Sequence, residues 1–512
     1  MIDKEIAMNR NFLRTIAVLL AIILSVSFVF TGCSDEPDDT ESTTGVSQSA
    51  PDANTLKLPY SKNDKLNPFT AESMLNQSIC ELVYDGLFSL DEKYNVSPLI
   101  ASKYTLSGRI LTVTLGTAKF SDGSAVTASD VVASFNSAKT SPAYKTSLAG
   151  FSKAQVSGNA VVFTLTADDP YAVNCLTFGI TKGGSSQDNA AGSGRYTFVS
   201  DDSETLLKAN GTRAGFSAPK ISEIHLYNLQ DVTSLKYTLA IGNISFAFDD
   251  LRTGEYTRFS ASTKDILMNN MVFMVFNKGN SALSSEKVRQ AIALLIDRDQ
   301  IADKAFQGHA KAAFTPFNPD WSAIAGKDYT LKTDADAAGK LLDEAGYKTS
   351  GGSVRSNGSK QLTFKLLVNK ENSFKTQAAQ NIKEMLEKAK ISVTVEALGE
   401  AEYKKAVSSG KYDMYIGEIK LTDNMNISPM LTKGGAVSYG INTSGAASTA
   451  YSAMLAGTVD VFSFIETFNS ALPFLPLCYR CGIAAYTRSI SYKSSAHIND
   501  IYADISSWEF IS

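Results

Sequence analysis

Between Leu362 and Val395 the sequence changes its hydrophobic period twice, and no other stretch narrows the fold as much. Leu362, Phe364, Leu366 and Val368 alternate as in a strand. Ala378, Ile382, Met385, Leu386 and Ala389 then recur at helical spacing, and Ile391, Val393 and Val395 alternate again. A strand, a helix and a strand in so short a span form a βαβ unit, with parallel strands and a right-handed crossover. Helix and strand signals also alternate elsewhere. Val288, Ala291, Ile292, Leu295 and Ile296 follow a candidate N-cap at Ser285, and a helix over Thr333–Ala345 is closed by Gly346. Upstream, Arg109–Leu115 and Val161–Leu165 read as strands, and Ser121-Asp122-Gly123 as a turn. Thr127 and Asp130 have the spacing of a capping box before a helix. The Gly/Ser-rich stretch 349–360 reads as a loop tip, and no internal repeat is present. The fold class is therefore α/β.

With 512 residues, 44% of them hydrophobic and 20% charged, the chain can build several cores. Its 48 basic residues nearly balance 52 acidic ones, which argues against a nucleic-acid partner. Five cysteines are too few for a disulfide scaffold. The three histidines, His225, His309 and His497, stand far apart, so neither a metal nor another cofactor is expected.

The N-terminus reads as an address. Lys4, Arg10 and Arg14 precede an apolar run from Ile16 to Phe30, followed by Thr31-Gly32-Cys33. This resembles the lipobox of bacterial lipoproteins, which implies a signal peptide over 1–32 and a lipidated Cys33. The segment 34–54 carries six acids, no Lys or Arg and little that is apolar, so it reads as a disordered tether. The expected location is the extracytoplasmic face of the cell membrane, reached through a lipid anchor.

Further landmarks carry a family resemblance. Leu66-Asn67-Pro68 matches "L-N/D-P", Leu82-Val83-Tyr84-Asp85-Gly86-Leu87 matches "L-Y-E/D-G-L", and Pro98-Leu99-Ile100-Ala101 matches "P-x-L-A". Phe120-Ser121-Asp122-Gly123 through Thr127-Ala128-Ser129-Asp130-Val131 resembles "F-x-D-G-x-x-[VL]-T-A-x-D-V". Gly192-Ser193-Gly194-Arg195-Tyr196, the Phe276-Asn277…Val288-Arg289-Gln290-Ala291-Ile292…Ile296-Asp297-Arg298 set, and Leu341-Leu342-Asp343-Glu344-Ala345-Gly346-Tyr347 follow in the family's order. The chain thus resembles the extracellular solute-binding proteins of ABC importers, in the oligopeptide, dipeptide and nickel-binding class (family 5). The landmarks themselves serve turns and caps, so they identify the fold and not the site.

The resemblance implies a two-lobed, type II periplasmic-binding-protein-like fold with an extra subdomain. Its ligand cleft lies between lobes joined by crossing strands, here Met268–Asn277 and Leu475–Ile483. The expected lobes are 55–270, with an insertion at about 76–180, and 271–474, with 475–512 returning to the first. The implied function is capture of a small solute, in the first place a short peptide, and delivery to the transmembrane subunits of an ABC permease by a monomer. A peptide or pheromone receptor for signalling, and a binder of nickel or another solute, are the alternatives.

A bound peptide's ammonium needs a carboxylate in the cleft, because an unpaired buried charge is costly. Peptide binders of the family follow the strand at Tyr412-Asp413-Met414-Tyr415 with "W-x-x-D-Y-x-D-P". Here the chain reads Gly417-Glu418-Ile419-Lys420-Leu421-Thr422-Asp423-Asn424-Met425-Asn426, without the Trp and the Asp-Pro pair. Asp423 is the first candidate for the ammonium, with Glu418 nearby. Glu72, four residues after Pro68, falls where oligopeptide binders place an acid at the cleft mouth. Asn269, Asn270 and Tyr479 lie on the expected crossings and are candidates to face the cleft. Met271, Met274, Met414, Met425 and Met430 could line it or fill the core. Cys478-Tyr479-Arg480-Cys481 is a CxxC, but it follows Pro473 and Pro476 in a strand-like context, without the helix start that redox chemistry uses. The pairing of these cysteines, and of Cys80 and Cys175, stays open.

An exported enzyme is the least favoured class. No GxSxG or HExxH occurs, and Gly352–Lys360 has the wrong spacing and ending for a phosphate loop.

Overall fold

The computed structural model describes residues 55–511 apart from 201–203, 230, 257, 350, 352 and 493–494. The signal segment, Cys33 and the acidic tether lie outside the described residues. Among the described residues no helix is long and apolar enough to cross a membrane.

The first lobe is built on a four-stranded sheet in the order Leu56–Tyr60, Glu223–Asn228, Thr205–Ala209, Tyr196–Ser200. The first two strands run parallel and the others antiparallel. Leu56, Leu58, Leu207 and Ile224 pack with Ile501, Tyr502, Ile505 and Trp508, so the C-terminal segment closes the core that the start of the body opens.

An antiparallel sheet of Ala101–Ser107, Ile110–Leu115, Ala160–Leu165 and Phe151–Ser157 forms the subdomain. Leu111, Val113, Val161 and Phe163 are wholly buried against Phe135, while Ile110 is 43% exposed, as expected of a sheet covered on one face. The covering helix, Ala128–Thr140, starts with the capping box anticipated from sequence. The Thr127 hydroxyl accepts from the Asp130 amide, and the Asp130 carboxylate accepts from the Thr127 amide.

The second lobe holds a seven-stranded sheet in the order Phe246–Asp249, Phe474–Tyr486, Ser262–Phe276, Met414–Lys420, Thr363–Asn369, Ser392–Leu398, with Ala310–Ala312 paired to Phe474–Tyr486. Thr363–Asn369 and Ser392–Leu398 are parallel and joined by the helix Ser373–Lys388, which is the βαβ unit read from sequence. Both faces are covered. Val272, Met274, Phe276, Leu366, Val368, Met414 and Ile416 face a core with Val288, Leu342 and Ile382. Their sequence neighbours Met271, Phe273, Val275, Leu367 and Tyr415 face a second core with Tyr451, Phe464 and Phe468. Met271, Met274, Met414, Met425 and Met430 are all buried core residues.

Two strands belong to both lobes. Ser262–Phe276 and Phe474–Tyr486 pair antiparallel along almost their whole length. Ile266, Met268 and Ala484 sit in the core of the first lobe, and the other ends of the same strands sit in the cores of the second. The register shifts between Leu267, opposite Cys481, and Met271, opposite Tyr479. Met268, Asn269 and Asn270 therefore form a bulge where the strands pass between lobes.

The CxxC lies within the second of these strands. Cys478 and Cys481 are three residues apart, so they point to opposite faces, and both are free and buried. Burial pushes the Cys481 thiol up to about 12. Cys80 and Cys175 are likewise free and buried. Replacing the cap with Thr127→Ala is expected to destabilise the protein by about 1 kcal/mol, and Thr127→Ser by less, in urea unfolding followed by fluorescence.

Candidate functional site

The bulge is fastened to the turn that follows the strand Met414–Lys420. Asn269 is 1% exposed. Its Nδ2 donates to the carbonyls of Leu421 and Thr422, both at 3.2 Å, and its own carbonyl accepts from the Leu421 amide at 2.8 Å. Its Oδ1 accepts from Asn318 Nδ2 at 3.2 Å. Both side-chain polar atoms and the main-chain carbonyl of Asn269 are thus engaged, and its role is to clamp the 421–422 backbone.

Beyond the clamp the chain turns back on itself. The Met425 amide donates to the Thr422 carbonyl at 2.8 Å, and Met425 takes φ +55° with its side chain buried. Thr422 and Met425 are the ends of the turn, and Asp423 and Asn424 are its two corners. Asn424 Nδ2 donates to Asp169 Oδ2 at 2.6 Å, which ties the turn to the subdomain. The same seam continues through Tyr171 and Trp321, with ring centroids 4.7 Å apart, and through Asn318 Nδ2, which donates to the Tyr94 hydroxyl at 3.1 Å.

Asp423 stands at this seam, half-buried, with no hydrogen bond or ion pair among the described residues. Burial raises its carboxyl to about 6, and the positive charge of Lys420 only partly opposes this. Across the seam, Glu81 occupies the last turn of the helix Met74–Val83. Glu81 is exposed at the surface, yet the protein packed near its carboxyl limits its solvation. That desolvation, and then the negative charge of Asp500, pushes its carboxyl well above the ordinary value against Arg195 and Lys420. Arg195 is itself engaged by Asp500 at 3.0 Å and by the Tyr502 carbonyl at 2.8 Å.

Glu418, only five residues before Asp423, is in the opposite condition. Its Oε1 accepts from Arg480 Nε at 2.8 Å and Asn270 Nδ2 at 2.9 Å, and its Oε2 pairs with Lys375 Nζ at 2.7 Å. Burial alone would raise its pKa, but Lys375 and Arg480 outweigh burial and hold the carboxyl at about 2. Arg480 also donates to the Asp250 carbonyl at 2.6 Å. The cluster binds the helix Ser373–Lys388 to both crossing strands and to the strand between them and the βαβ unit. Asn270 spends its amide nitrogen here, and its Oδ1 is buried without a partner.

The sequence candidates therefore separate. Asp423 and Asn269 meet at the turn, and Glu418 and Asn270 meet in the ion cluster. Glu72 is exposed just before the helix Met74–Val83, where its amide donates to Asp64 Oδ1 at 3.0 Å. Tyr479, expected to face the cleft, is a correction. It is wholly buried in the second-lobe core, and its hydroxyl donates to the Pro316 carbonyl at 3.1 Å. With helices on both sides of the sheet, either face of that strand leads into a core. Asp169 and Asn424 were missed, because the contact that ties them to the site joins residues 255 apart and leaves no local pattern.

Among the described residues no group of three or more His, Cys, Asp and Glu side chains is placed to hold a metal ion. A cavity of about 750 Å³ lined by Asn277, Asn280, Lys360 and Asp413 lies at the other end of the strand Met414–Lys420, away from the Asp423 turn.

The two carboxylates make opposite predictions for stability. Glu418 is depressed, so its contribution is present above its unfolded value near 4.5 and is lost as pH falls toward 2. Glu418→Gln leaves two buried cations short of a partner and is expected to cost about 3 kcal/mol at pH 7, the difference shrinking below pH 4.5. Asp423 is raised, so its ionised form is a penalty above about 6 that is relieved as pH falls toward 4. Asp423→Asn is expected to raise Tm at pH 7.5 and to leave it nearly unchanged at pH 4, as read by calorimetric scans across that range.

Comparison with known proteins places this geometry. The family model for bacterial extracellular solute-binding proteins, family 5 (middle region), matches residues 95–437. The oligopeptide-binding protein AppA of Bacillus subtilis is 25% identical over 209 residues, which cover 40% of this chain and 38% of AppA. The glutathione-binding protein GsiB of Salmonella typhimurium is 27% identical over 314 residues, 55% of this chain and 59% of GsiB. The chain thus spans about four to six tenths of the length of these curated relatives. Among solved structures, the murein-tripeptide-binding protein MppA in an unliganded open form superimposes with a TM-score of 0.73 at 16% identity, covering 90% of this chain and 98% of MppA. The two-lobed periplasmic-binding-protein fold is shared with it.

Proposed function

The chain belongs to the bacterial extracellular solute-binding proteins of family 5, and we propose that it captures a short peptide by closing its lobes and hands it to an ABC import permease. The observation that carries the peptide reading is Asp423. It is a carboxylate without a partner, half-buried, on a turn clamped by Asn269 and set against the opposite lobe through Asn424 and Asp169. A peptide's amino terminus supplies the positive charge that such a group lacks.

The cycle needs no chemistry on the ligand. The peptide's ammonium pairs with Asp423, closure removes water from the pair and strengthens it, and the closed lobes present the surface that the permease reads. Cys33 is the proposed lipidation site, and the acidic tether gives the body its reach from the outer face of the membrane. The proteins named for peptides and for glutathione among the relatives are in keeping with an ammonium-bearing solute.

The test is a thermodynamic cycle by calorimetry, using trialanine and N-acetyl-trialanine as probes. In the natural protein acetylation is expected to weaken binding at least tenfold, about 1.4 kcal/mol. In Asp423→Asn both peptides should bind weakly and alike. Equal binding of the two peptides by the natural protein would refute the role of Asp423.

A further inference from the structure

The bulge between the lobes meets a third element besides the crossing strands and the Asp423 turn. The hairpin of Phe88–Leu90 and Val96–Pro98 starts in the subdomain core, which holds Phe88. Its tip enters the second lobe, where Leu90 and Tyr94 join the core of Phe317, Trp321 and Tyr479. Tyr94 takes φ +62°, a conformation that is costly for a bulky side chain and persists only where its surroundings impose it. Asn174 Nδ2 donates to the Tyr94 carbonyl at 2.9 Å, and the Ser322 amide donates to the Lys93 carbonyl at 3.0 Å. The hairpin tip is thus seated beside the bulge, with the Tyr94 hydroxyl against the buried Asn318.

Asn318 has more acceptors than hydrogens. Its Oδ1 accepts from the Asp320 amide at 3.0 Å, which fixes the other end as the amide nitrogen. That nitrogen lies 3.1 Å from the Tyr94 hydroxyl, 3.2 Å from Asn269 Oδ1 and 3.3 Å from the Met268 carbonyl. Two N–H groups serve three acceptors, so one acceptor is short in every arrangement. Asn270, the next residue of the bulge, carries the buried Oδ1 without a partner. Under-satisfied groups and a strained backbone therefore gather where the strands pass between lobes.

We propose that Asn318 is a shared donor that keeps the hinge bulge compliant. As the lobes turn, its N–H groups pass between the Tyr94 hydroxyl and the Met268 carbonyl, so that one bond forms as another is lost. This inference rests on the two-lobed fold and not on the nature of the solute. Asn318 acts through Asn269, whose amide clamps the 421–422 backbone, and is a positioning residue for the Asp423 turn. The Tyr94 hydroxyl is the part that a fully satisfied hinge would omit. A phenylalanine at this position fills the same core and leaves two hydrogens for two acceptors, Asn269 and Met268. Bulge and clamp would then be pinned together.

The test needs no ligand. It is amide hydrogen exchange of the full chain, dialysed free of solute and resolved to single residues by mass spectrometry. Two amides report: Leu421, which donates to the Asn269 carbonyl, and Ser322, which donates to the Lys93 carbonyl. In Tyr94→Phe, exchange at Leu421 is expected to slow by about threefold or more, while Ser322 stays within about twofold of the natural protein. Asn318→Ala removes the donor and should speed exchange at Leu421. On that background Tyr94→Phe should change Leu421 no further, because a hydroxyl acting through Asn318 has nothing left to compete for. Should Asn318→Ala not fold, the sign of the change at Leu421 in Tyr94→Phe decides alone. Exchange at Leu421 that is unchanged or faster in Tyr94→Phe, or a slowing that persists without the Asn318 amide, would overturn the shared donor. Faster exchange at Ser322 would show that the hydroxyl anchors the hairpin instead, and would overturn it too.

Discussion

Two paired strands, Ser262–Phe276 and Phe474–Tyr486, hold the molecule together, because each contributes to the core of one lobe at one end and to the cores of the other lobe at its opposite end. In the second lobe these strands are buried on both faces, and their alternating side chains lock into two separate cores. Such packing resists bending. The pairing is irregular only near the passage between lobes, at the Met268–Asn270 bulge and at the shift beside Val272. The irregular stretch adjoins the clamp that Asn269 places on the 421–422 backbone, so the backbone least constrained by strand pairing is directly linked to the turn carrying Asp423. In the proposed closure the Asp423 turn travels with the second lobe, to which the Asn269 clamp fastens it.

The electrostatics of the second lobe divide along the strand Met414–Lys420 and the turn after it. Glu418 and Asp423 are the same kind of group five residues apart, and both feel burial. Two cations and an amide compensate Glu418 fully, so it remains ionised and serves as a bolt between a helix and the crossing strands. At Asp423 the charge of Lys420 only partly offsets burial. A protein that needed Asp423 for its own stability would have supplied a partner, as it did for Glu418. An uncompensated carboxylate at a lobe boundary makes physical sense when the partner arrives with the ligand.

Much of the fold was legible in the sequence because it rests on local rules. The change of period between Leu362 and Val395 gave the βαβ unit, and the Thr127 and Asp130 spacing gave a cap that the structure builds with those atoms. The motif order gave the family and the two crossing strands. The site was only partly legible. Strand alternation assigns Tyr479 a face but cannot say that helices cover both faces of that sheet. By sequence Asn269 is a candidate to face the cleft, yet the bulge turns it into a clamp, and a register shift is invisible until the partner strand is known. Glu418 and Asp423 looked alike in sequence, and the cations that separate them come from elements far along the chain. The contact between Asp169 and Asn424 joins residues 255 apart, and nothing in either neighbourhood announces the other.

In the proposed cycle a peptide closes the two lobes about the crossing strands. Small-angle X-ray scattering from the folded body, recorded with and without a saturating mixture of synthetic di- and tripeptides, tests it most directly. Closure predicts a smaller radius of gyration with peptide, reached only at higher concentration when the same peptides carry acetylated amino termini. Superimposable profiles, under conditions where calorimetry shows the free peptides bound, would contradict it.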